Sequence, residues 1–351
     1  MDEPVTGPTD WSRSKVITGL ILVAAMLAGV VLLLRSPTAA STRAVGGART
    51  TITADPEAVD GTDTAESTVA ADRSSDTLVG DGVESLSEPT TTAVPTGPVV
   101  VELVDNSRPT VTGGLTIDGV RHLPTTVWHP GTPGRHPLVV FAHGYEVGPM
   151  TYARFCAALA AHGYVVAAPS FPLADASRGN GLDREDIPNQ AIDVDFVIDA
   201  LRRTDPSIDS GPVAVIGHSD GGTVALLVAE RPSSMHPDIA AAIAIAPDSI
   251  TGDLTSSPPP LLIIHSIDDE ISAFWNSEQA FASFTGPRWL LALEGAAHLP
   301  PVAGNTPWTP VIDQAVELFL AATLHAGAGT DLSGLTPALD RLDLSHVTTA
   351  G

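Results

Sequence analysis

The sequence predicts an α/β fold in which a mostly parallel central sheet has helices on both faces. Three observations support this prediction. Short apolar runs typical of buried strands alternate with segments whose apolar residues recur at helical spacing. A serine flanked by glycines, Ser219, stands between one of these runs and the helical segment after it. Acidic residues and a histidine follow two later runs, and open α/β sheets place their sites beyond the carboxyl ends of strands.

Eight apolar runs are predicted to be strands. We expect the first two to be antiparallel at one edge of the sheet, and the later ones to be short, buried strands. In chain order the predicted strands cover residues 99–104, 123–129, 138–142, 164–168, 212–216, 239–246, 261–264 and 289–293.

Four segments are predicted to be helices, at residues 151–162, 189–204, 222–230 and 309–324. The first ends at Gly163, a residue type that commonly terminates helices. The second and the last have apolar residues at helical spacing, which indicates one buried face. Residues 326–351 are expected to form a loosely structured tail.

The segment Gly217-His218-Ser219-Asp220-Gly221 connects the predicted strand at 212–216 to the helix at 222–230. A serine at such a sharp strand-to-helix turn is typical of a nucleophile elbow, where a strained backbone exposes the hydroxyl. The glycines leave room for the neighbouring strand and helix. We therefore interpret Ser219 as a catalytic nucleophile.

A serine nucleophile needs a base, and the base needs an orienting acid. His298 follows the strand at 289–293 and a glycine turn, so it is the predicted base. Asp268 and Asp269 follow the strand at 261–264, and because they are adjacent their side chains point in different directions. Asp248 and Asp253 are more distant alternatives for the acid.

These segments resemble the α/β-hydrolase superfamily of serine hydrolases. The nearest likenesses are the dienelactone-hydrolase-like, platelet-activating-factor-acetylhydrolase-like and bacterial cutinase-like esterases. The matching residues are 138–145, 217–222, 265–271 and 295–298, and the resemblance spans residues 99–325. In this superfamily the acid and then the histidine follow the serine, which is the order found here.

The resemblance assigns further roles. In related enzymes the acid lies four residues after a histidine, which favours Asp269 after His265, although Ser266 replaces the usual glycine. Backbone N–H groups of Tyr145 and Asp220 would form the oxyanion hole.

Three other histidines, His143, His218 and His265, are expected to be structural rather than to serve as the base. His143 and His218 precede the serine in the chain, whereas the base of this superfamily follows it.

The substrate pocket is expected to be open. Only about a dozen residues separate the strands at 239–246 and 261–264, which leaves no room for a large lid domain there. The loops at 170–187 and 271–275 are predicted pocket walls. Candidate acyl-pocket residues, each of which could equally belong to the core, are Tyr145, Phe274, Trp275 and Leu299.

Together these features predict a serine hydrolase that cleaves small-molecule or lipid-like carboxylic esters through an acyl-enzyme, without a cofactor or metal. An acyltransferase, a thioesterase or an amidase with the same triad remains an alternative. So does a non-catalytic cell-surface binding protein built on a hydrolase fold.

The chain before the catalytic domain is predicted to tether it to a membrane. After a short tail at 1–15, residues 16–34 are uncharged and almost wholly apolar, close to the roughly 20 residues that span a bilayer. Residues 35–98 are rich in Ser, Thr, Pro and acidic residues, which predicts a disordered linker. The domain at 99–325 would then be extracytoplasmic on a single-pass anchor of a bacterial cell. Secretion after cleavage of a signal peptide is the alternative.

The net charge of −24, from 41 acidic and 17 basic residues, disfavours nucleic acid as a partner. Asp183, Glu185 and Asp186 lie in a glycine-rich segment that lacks the spacing of a calcium loop, so we expect a solvated loop. Oligomeric state is left open by the sequence.

Overall fold

The computed structural model describes residues 97–231, 238–248, 258–324, 332–343 and 345–350. The predicted tail and anchor at 1–34, and all but the last two residues of the predicted linker at 35–98, lie outside these ranges. Among the helices within them, none combines the length and the apolar character needed to cross a bilayer. The membrane anchor therefore stays a prediction from the sequence.

Eleven strands are present in the described residues. Nine form one sheet in the order β1-β4-β6-β5-β7-β8-β9-β10-β11, and β2 and β3 form a separate hairpin. The strands are β1 (Val99–Asp105), β2 (Thr110–Thr112), β3 (Leu115–Asp118), β4 (Arg121–Trp128), β5 (His136–Ala142), β6 (Val165–Pro169), β7 (Ile208–His218), β8 (Ile239–Ile245), β9 (Leu261–Ser266), β10 (Arg288–Leu293) and β11 (Ser345–Ala350).

The centre of the large sheet, from β6 to β10, is parallel, and its two edges are antiparallel. The predicted antiparallel start is confirmed, since β1 pairs with β4 from Val99 opposite Val127 to Asp105 opposite Arg121. The mixed α/β-hydrolase-like sheet expected from the sequence is therefore present.

Helices cover both faces of this sheet. They are α1 (Ala153–Ala161), α2 (Ile187–Thr204), α3 (Asp220–Glu230), α4 (Phe274–Ser283), α5 (Pro300–Ala303), α6 (Thr309–Leu324) and α7 (Leu335–Leu339). The helix predicted at 222–230 begins two residues earlier, at Asp220, directly after Ser219. The helix α4 was not predicted.

Alternate strand residues point to opposite faces, so each strand contributes to two cores. On one face, Phe141 and Ile216 pack with α1 and α6. On the other face, Val140 and Val215 pack with α2 and α3. Because both faces are covered, the central strands are apolar throughout, which is why the sequence revealed them so clearly.

The expected loose tail after residue 325 differs from the structure. Residues 345–350 form β11, which pairs antiparallel with β10 along its whole length. The helix α7 before it is also attached, through a 2.9 Å hydrogen bond from Trp289 Nε1 to Thr336 Oγ1. The segment is mostly polar because one of its faces is exposed, with only Val347 packing against the core. This segment is a strand because its backbone pairs with the edge of β10, and not because its side chains are apolar.

The connection between β8 and β9, where a lid was not expected, spans residues 246–260. Its central part, residues 249–257, lies outside the described ranges.

Candidate active site

Ser219 stands at a sharp turn between β7 and α3. Its backbone has φ 58° and ψ −124°, a region that non-glycine residues rarely adopt. Such strain typically costs about 1–3 kcal/mol and is found where function requires it. The turn is the geometry expected of a nucleophile elbow.

Two glycines make this turn possible. A Cβ atom on Gly217 would overlap the carbonyl oxygen of Gly221, and a Cβ atom on Gly221 would overlap that of Ala142. Neither overlap can be relieved by a side-chain movement, because the obstructing atoms belong to the backbone. Glycine is therefore required on both sides of the serine by the packing of α3 against β5 and β7.

The loop that follows β5 passes directly beside the serine. A Cβ atom on Gly144 would lie 3.2 Å from Ser219 Cβ. The next residue, Tyr145, is the first predicted oxyanion donor, and within the described residues its N–H has no hydrogen-bond acceptor. The second, Asp220, is the first residue of α3, where helices leave N–H groups without intrahelical partners.

The predicted acid and base are in contact. His298 Nδ1 lies 2.7 Å from Asp269 Oδ2, with the Asp269 side chain buried and that of His298 10% exposed. Asp268 instead accepts a hydrogen bond from the Gly295 N–H at 2.8 Å, which holds the turn before His298. The adjacent carboxylates thus have different partners, as their alternating directions predicted.

Asp269 is held from four sides. Its Oδ1 accepts hydrogen bonds from the N–H groups of Ile271 (2.8 Å) and Ser272 (2.9 Å), and its Oδ2 also lies 3.4 Å from His265 Nε2. Burial by itself raises the pKa of Asp269, but hydrogen bonds from His265 and His298 outweigh burial and hold that pKa well below its usual range. The group is therefore a carboxylate at neutral pH.

His265 lies beneath Asp269 rather than beside the serine. Its Nδ1 is 2.6 Å from Ser277 Oγ, and its Nε2 is 3.1 Å from the Ser272 carbonyl oxygen. The expectation of a structural role for His265 agrees with this position.

His143 is likewise buried within the fold. Its Nε2 accepts a hydrogen bond from the Phe171 N–H at 3.0 Å, and its Nδ1 lies 2.8 Å from the Gly144 carbonyl oxygen. Burial lowers the pKa of His143, so the ring is neutral. It connects the loop after β5 to the chain after β6, which agrees with the expected structural role.

His218 connects the serine turn to the histidine loop. Its Nε2 lies 2.9 Å from the His298 carbonyl oxygen, and the two imidazole rings are 4.7 Å apart between centroids. Burial, followed by the nearby His298, lowers the pKa of His218 to about 3. Because His218 directly precedes Ser219, this contact joins the loop of His298 to the serine turn.

The sequence did not reveal Arg184 as a component of the site. Its guanidinium pairs with both oxygens of Asp220, reaches Asp248 Oδ2 at 2.9 Å, and lies 5.8 Å from the centre of the Tyr145 ring. Asp248 also accepts from Asn276 Nδ2 at 2.9 Å. Arg184 begins a short 3-10 turn (Arg184–Asp186) 35 positions before Ser219, so no local pattern relates the two.

Asp248, a weaker candidate for the acid, therefore contacts Arg184 and Asn276 at the rim of the site. Asp253, the other weaker candidate, lies outside the described residues.

The expectation of a fully solvated loop at 183–186 is wrong for Asp186. This carboxylate is buried and forms two hydrogen bonds, of 3.0 and 2.8 Å, with the buried guanidinium of Arg121. Asp193 of α2 binds the same guanidinium at 2.6 Å. The ion pairs explain how acidic residues can enter the core, because each buried charge has a partner of opposite sign.

The four candidate pocket residues differ in their surroundings. Trp275 is 50% exposed at the start of α4, and Tyr145 is partly buried beneath Arg184. Phe274 packs edge-on against His265, and Leu299 packs against the core between the sheet and α6. Phe274 and Leu299 thus pack against other side chains, whereas Trp275 is exposed and Tyr145 is partly buried, and the role of all four in substrate binding stays a prediction.

This geometry suits acyl-transfer chemistry. Acyl-transfer chemistry needs a nucleophile, a base and oxyanion donors. The candidates for these roles are the strained Ser219, His298 in contact with the buried Asp269, and the N–H groups of Tyr145 and Asp220. The contact with Asp269 is made by Nδ1 of His298, so Nε2 is the ring nitrogen that does not face this carboxylate.

Comparison with known proteins agrees with this architecture. The family model described as Chlorophyllase matches residues 117–273, which include Ser219 and Asp269. Cutinase 2 of Thermobifida cellulosilytica is 29% identical over 190 residues, covering 51% of this chain and 67% of the relative. Cutinase cut1 of Thermobifida fusca is also 29% identical over 190 residues, and the match spans only 55% of that protein.

Proposed function

We propose that this chain, which resembles α/β-hydrolase esterases of the cutinase type, is a serine-dependent carboxylic ester hydrolase. The observation that carries the proposal is the 2.7 Å contact between His298 and the buried Asp269, in a loop joined to the strained Ser219 turn. A histidine so oriented is the base that a serine nucleophile requires.

In the proposed mechanism, Ser219 Oγ attacks the ester carbonyl carbon while His298 Nε2 takes the hydroxyl proton. The negative charge that forms on the carbonyl oxygen accepts hydrogen bonds from the N–H groups of Tyr145 and Asp220. Two such donors typically stabilise the transition state by several kcal/mol, about 3–4 kcal/mol each. The carbon–oxygen bond to the alcohol then breaks, and His298 returns the proton to the leaving oxygen.

The second half of the proposed reaction regenerates the enzyme. Water gives a proton to His298 Nε2 and attacks the acyl carbon, and the bond to Ser219 Oγ breaks as the proton returns to the serine. Asp269 stays ionised throughout and stabilises the imidazolium in both halves. The low pKa of Asp269 supports this role.

The proposed substrates are small-molecule or lipid-like esters. Tyr145 follows Gly144, which lies beside Ser219, and the exposed Trp275 offers a further apolar side chain, whereas the acidic chain disfavours polyanionic partners. We also propose that the apolar segment at 16–34 either anchors the enzyme in a membrane or directs its secretion.

The test is hydrolysis of p-nitrophenyl acetate, butyrate and octanoate by the full-length chain. We expect turnover that is lost in Ser219→Ala and retained in Ser283→Ala. Ser283 is the matched control because it ends α4 and, among the described residues, its hydroxyl bonds only the Ala280 carbonyl. The chain-length profile would measure the acyl pocket.

Two other outcomes would favour the alternatives. A burst of one equivalent of nitrophenol without turnover would indicate an acyltransferase that lacks its acceptor. A folded protein in which Ser219→Ala changes nothing would refute the esterase and favour a binding protein.

A further inference from the structure

The three segments of the proposed catalytic site meet at two buried side chains, Tyr152 and His218. Gly144 N donates to Tyr152 Oη at 3.2 Å, and Tyr152 Oη lies 2.9 Å from His218 Nδ1. His218 Nε2 lies 2.9 Å from the His298 carbonyl oxygen. A single chain of hydrogen bonds therefore runs from the oxyanion loop, through the residue before the nucleophile, to the proposed base.

Chemistry determines the direction of every bond in this chain. The Gly144 N–H can only donate and the His298 carbonyl can only accept, so His218 carries its proton on Nε2. The low pKa of His218 makes its ring neutral, so Nδ1 can accept a hydrogen bond from the Tyr152 hydroxyl. All four groups are thus satisfied in one protonation state.

Burial makes this arrangement specific. Tyr152 is fully buried and His218 is 1% exposed, so water cannot replace a missing partner. The Tyr152 ring also packs 4.8 Å from Phe141 and 5.6 Å from His218, measured between centroids. Its hydroxyl is therefore held in place independently of the hydrogen bonds that it makes.

We propose that Tyr152 and His218 are positioning residues that hold the oxyanion loop and the His298 loop in register with Ser219. The inference rests on the proposed function, because it assigns these residues to the same reaction. The three segments follow different strands, β5, β7 and β10, and among the described residues this chain of bonds connects all three. Small displacements of such groups lower the rate without weakening substrate binding.

The first test compares Tyr152→Phe with Tyr164→Phe in the full-length chain. Phenylalanine keeps the ring contacts and removes only the hydroxyl. Tyr164 is also buried in the same core, but it precedes β6 at the opposite end of the sheet. We expect Tyr152→Phe to lower kcat about 10- to 100-fold with KM within about 3-fold of wild type, as misplacement predicts. Tyr164→Phe should leave kcat unchanged.

A transition-state analogue separates positioning from general structural damage. An alkyl trifluoromethyl ketone forms a tetrahedral adduct with a serine nucleophile, so its affinity depends on the oxyanion loop and on the base. We expect its Ki to rise in Tyr152→Phe by the same factor as kcat/KM falls, in a variant that a cooperative thermal unfolding transition shows to be folded. His218→Gln retains an N–H but loses the acceptor at Nδ1. It should lower kcat by a similar factor, and in the double variant this loss of kcat should not add to that of Tyr152→Phe.

Nitrogen NMR of the wild-type chain tests the network without any variant. We expect His218 to be neutral, with its proton on Nε2, throughout the neutral pH range. A proton on Nδ1 would overturn the network even if Tyr152→Phe failed to fold.

The two proposals fail in different ways. An active wild-type enzyme with an equally active Tyr152→Phe variant would overturn the positioning role and leave the esterase intact. A wild-type chain that neither hydrolyses esters nor reacts with a fluorophosphonate at Ser219 would overturn both.

Discussion

Replacement of Asp269 by Asn tests the assignment of the acid most directly. The change keeps the size of the side chain and removes its charge. The remaining oxygen can still accept from the N–H groups of Ile271 and Ser272. The new amide nitrogen then faces His298 Nδ1, which must accept instead of donate. This places the imidazole proton on Nε2, where it prevents removal of the serine proton.

The size of the effect follows from the lost charge pair. Charges about 4 Å apart at an effective dielectric constant of about 20 attract by about 4 kcal/mol. Because the Asp269 side chain is buried, solvent screens this attraction little. About 4 kcal/mol corresponds to about a 1,000-fold loss in kcat, and the wrong tautomer adds to it.

The assay is hydrolysis of p-nitrophenyl butyrate at pH 8, with Ser219→Ala as the background. Asp268→Asn is the matched control, since within the described part of the chain the Asp268 carboxylate accepts only from the Gly295 N–H, and the asparagine oxygen can still accept there. We expect it to change kcat less than about 3-fold, as for a single retained hydrogen bond. The assignment would be refuted by an active Asp269→Asn enzyme together with an inactive Asp268→Asn enzyme.

Three further predictions concern folding. Gly217→Ala should abolish soluble expression because the added Cβ would overlap a backbone carbonyl. Gly119→Ala is the control and should express normally, since there is open space around Gly119. Near-normal soluble expression of Gly217→Ala would contradict the packing argument. Arg121→Met should lower the free energy of urea unfolding by about 3–5 kcal/mol, because two buried carboxylates lose their shared partner. Burial raises the pKa of Glu230 to about 7, so the folded chain keeps a proton that the unfolded chain releases above about pH 4.3, and stability falls as the pH rises to 7. Glu230→Gln should remove about 2 kcal/mol of this loss between pH 5 and pH 7.5, and an unchanged pH dependence would exclude Glu230 as its source.

Much of the domain could be predicted because its signals are local. The central strands are apolar on both faces, and each appears as a run in the sequence. The turn at Ser219 was recognisable because only glycine fits beside it, at Gly217 and Gly221. These features depend on neighbouring residues along the chain, so a single sequence contains them.

The strand β11 shows where this reasoning ends. None of its residues is fully buried, and within this strand only Val347 packs against the core. A mostly polar segment has no apolar signature of its own. It is a strand because the edge of β10 offers unpaired backbone groups, and that edge exists only in the folded sheet.

The sequence by itself predicted eight of the eleven strands and four of the seven helices in the described residues, the serine turn, and the candidates for acid and base. The tertiary structure decided which carboxylate contacts His298, that Arg184 joins Asp220, and that Tyr152 connects Gly144 to His218. The physical reason is distance along the chain. Backbone conformation follows from nearby residues, whereas a hydrogen bond between distant segments depends on how the whole sheet packs.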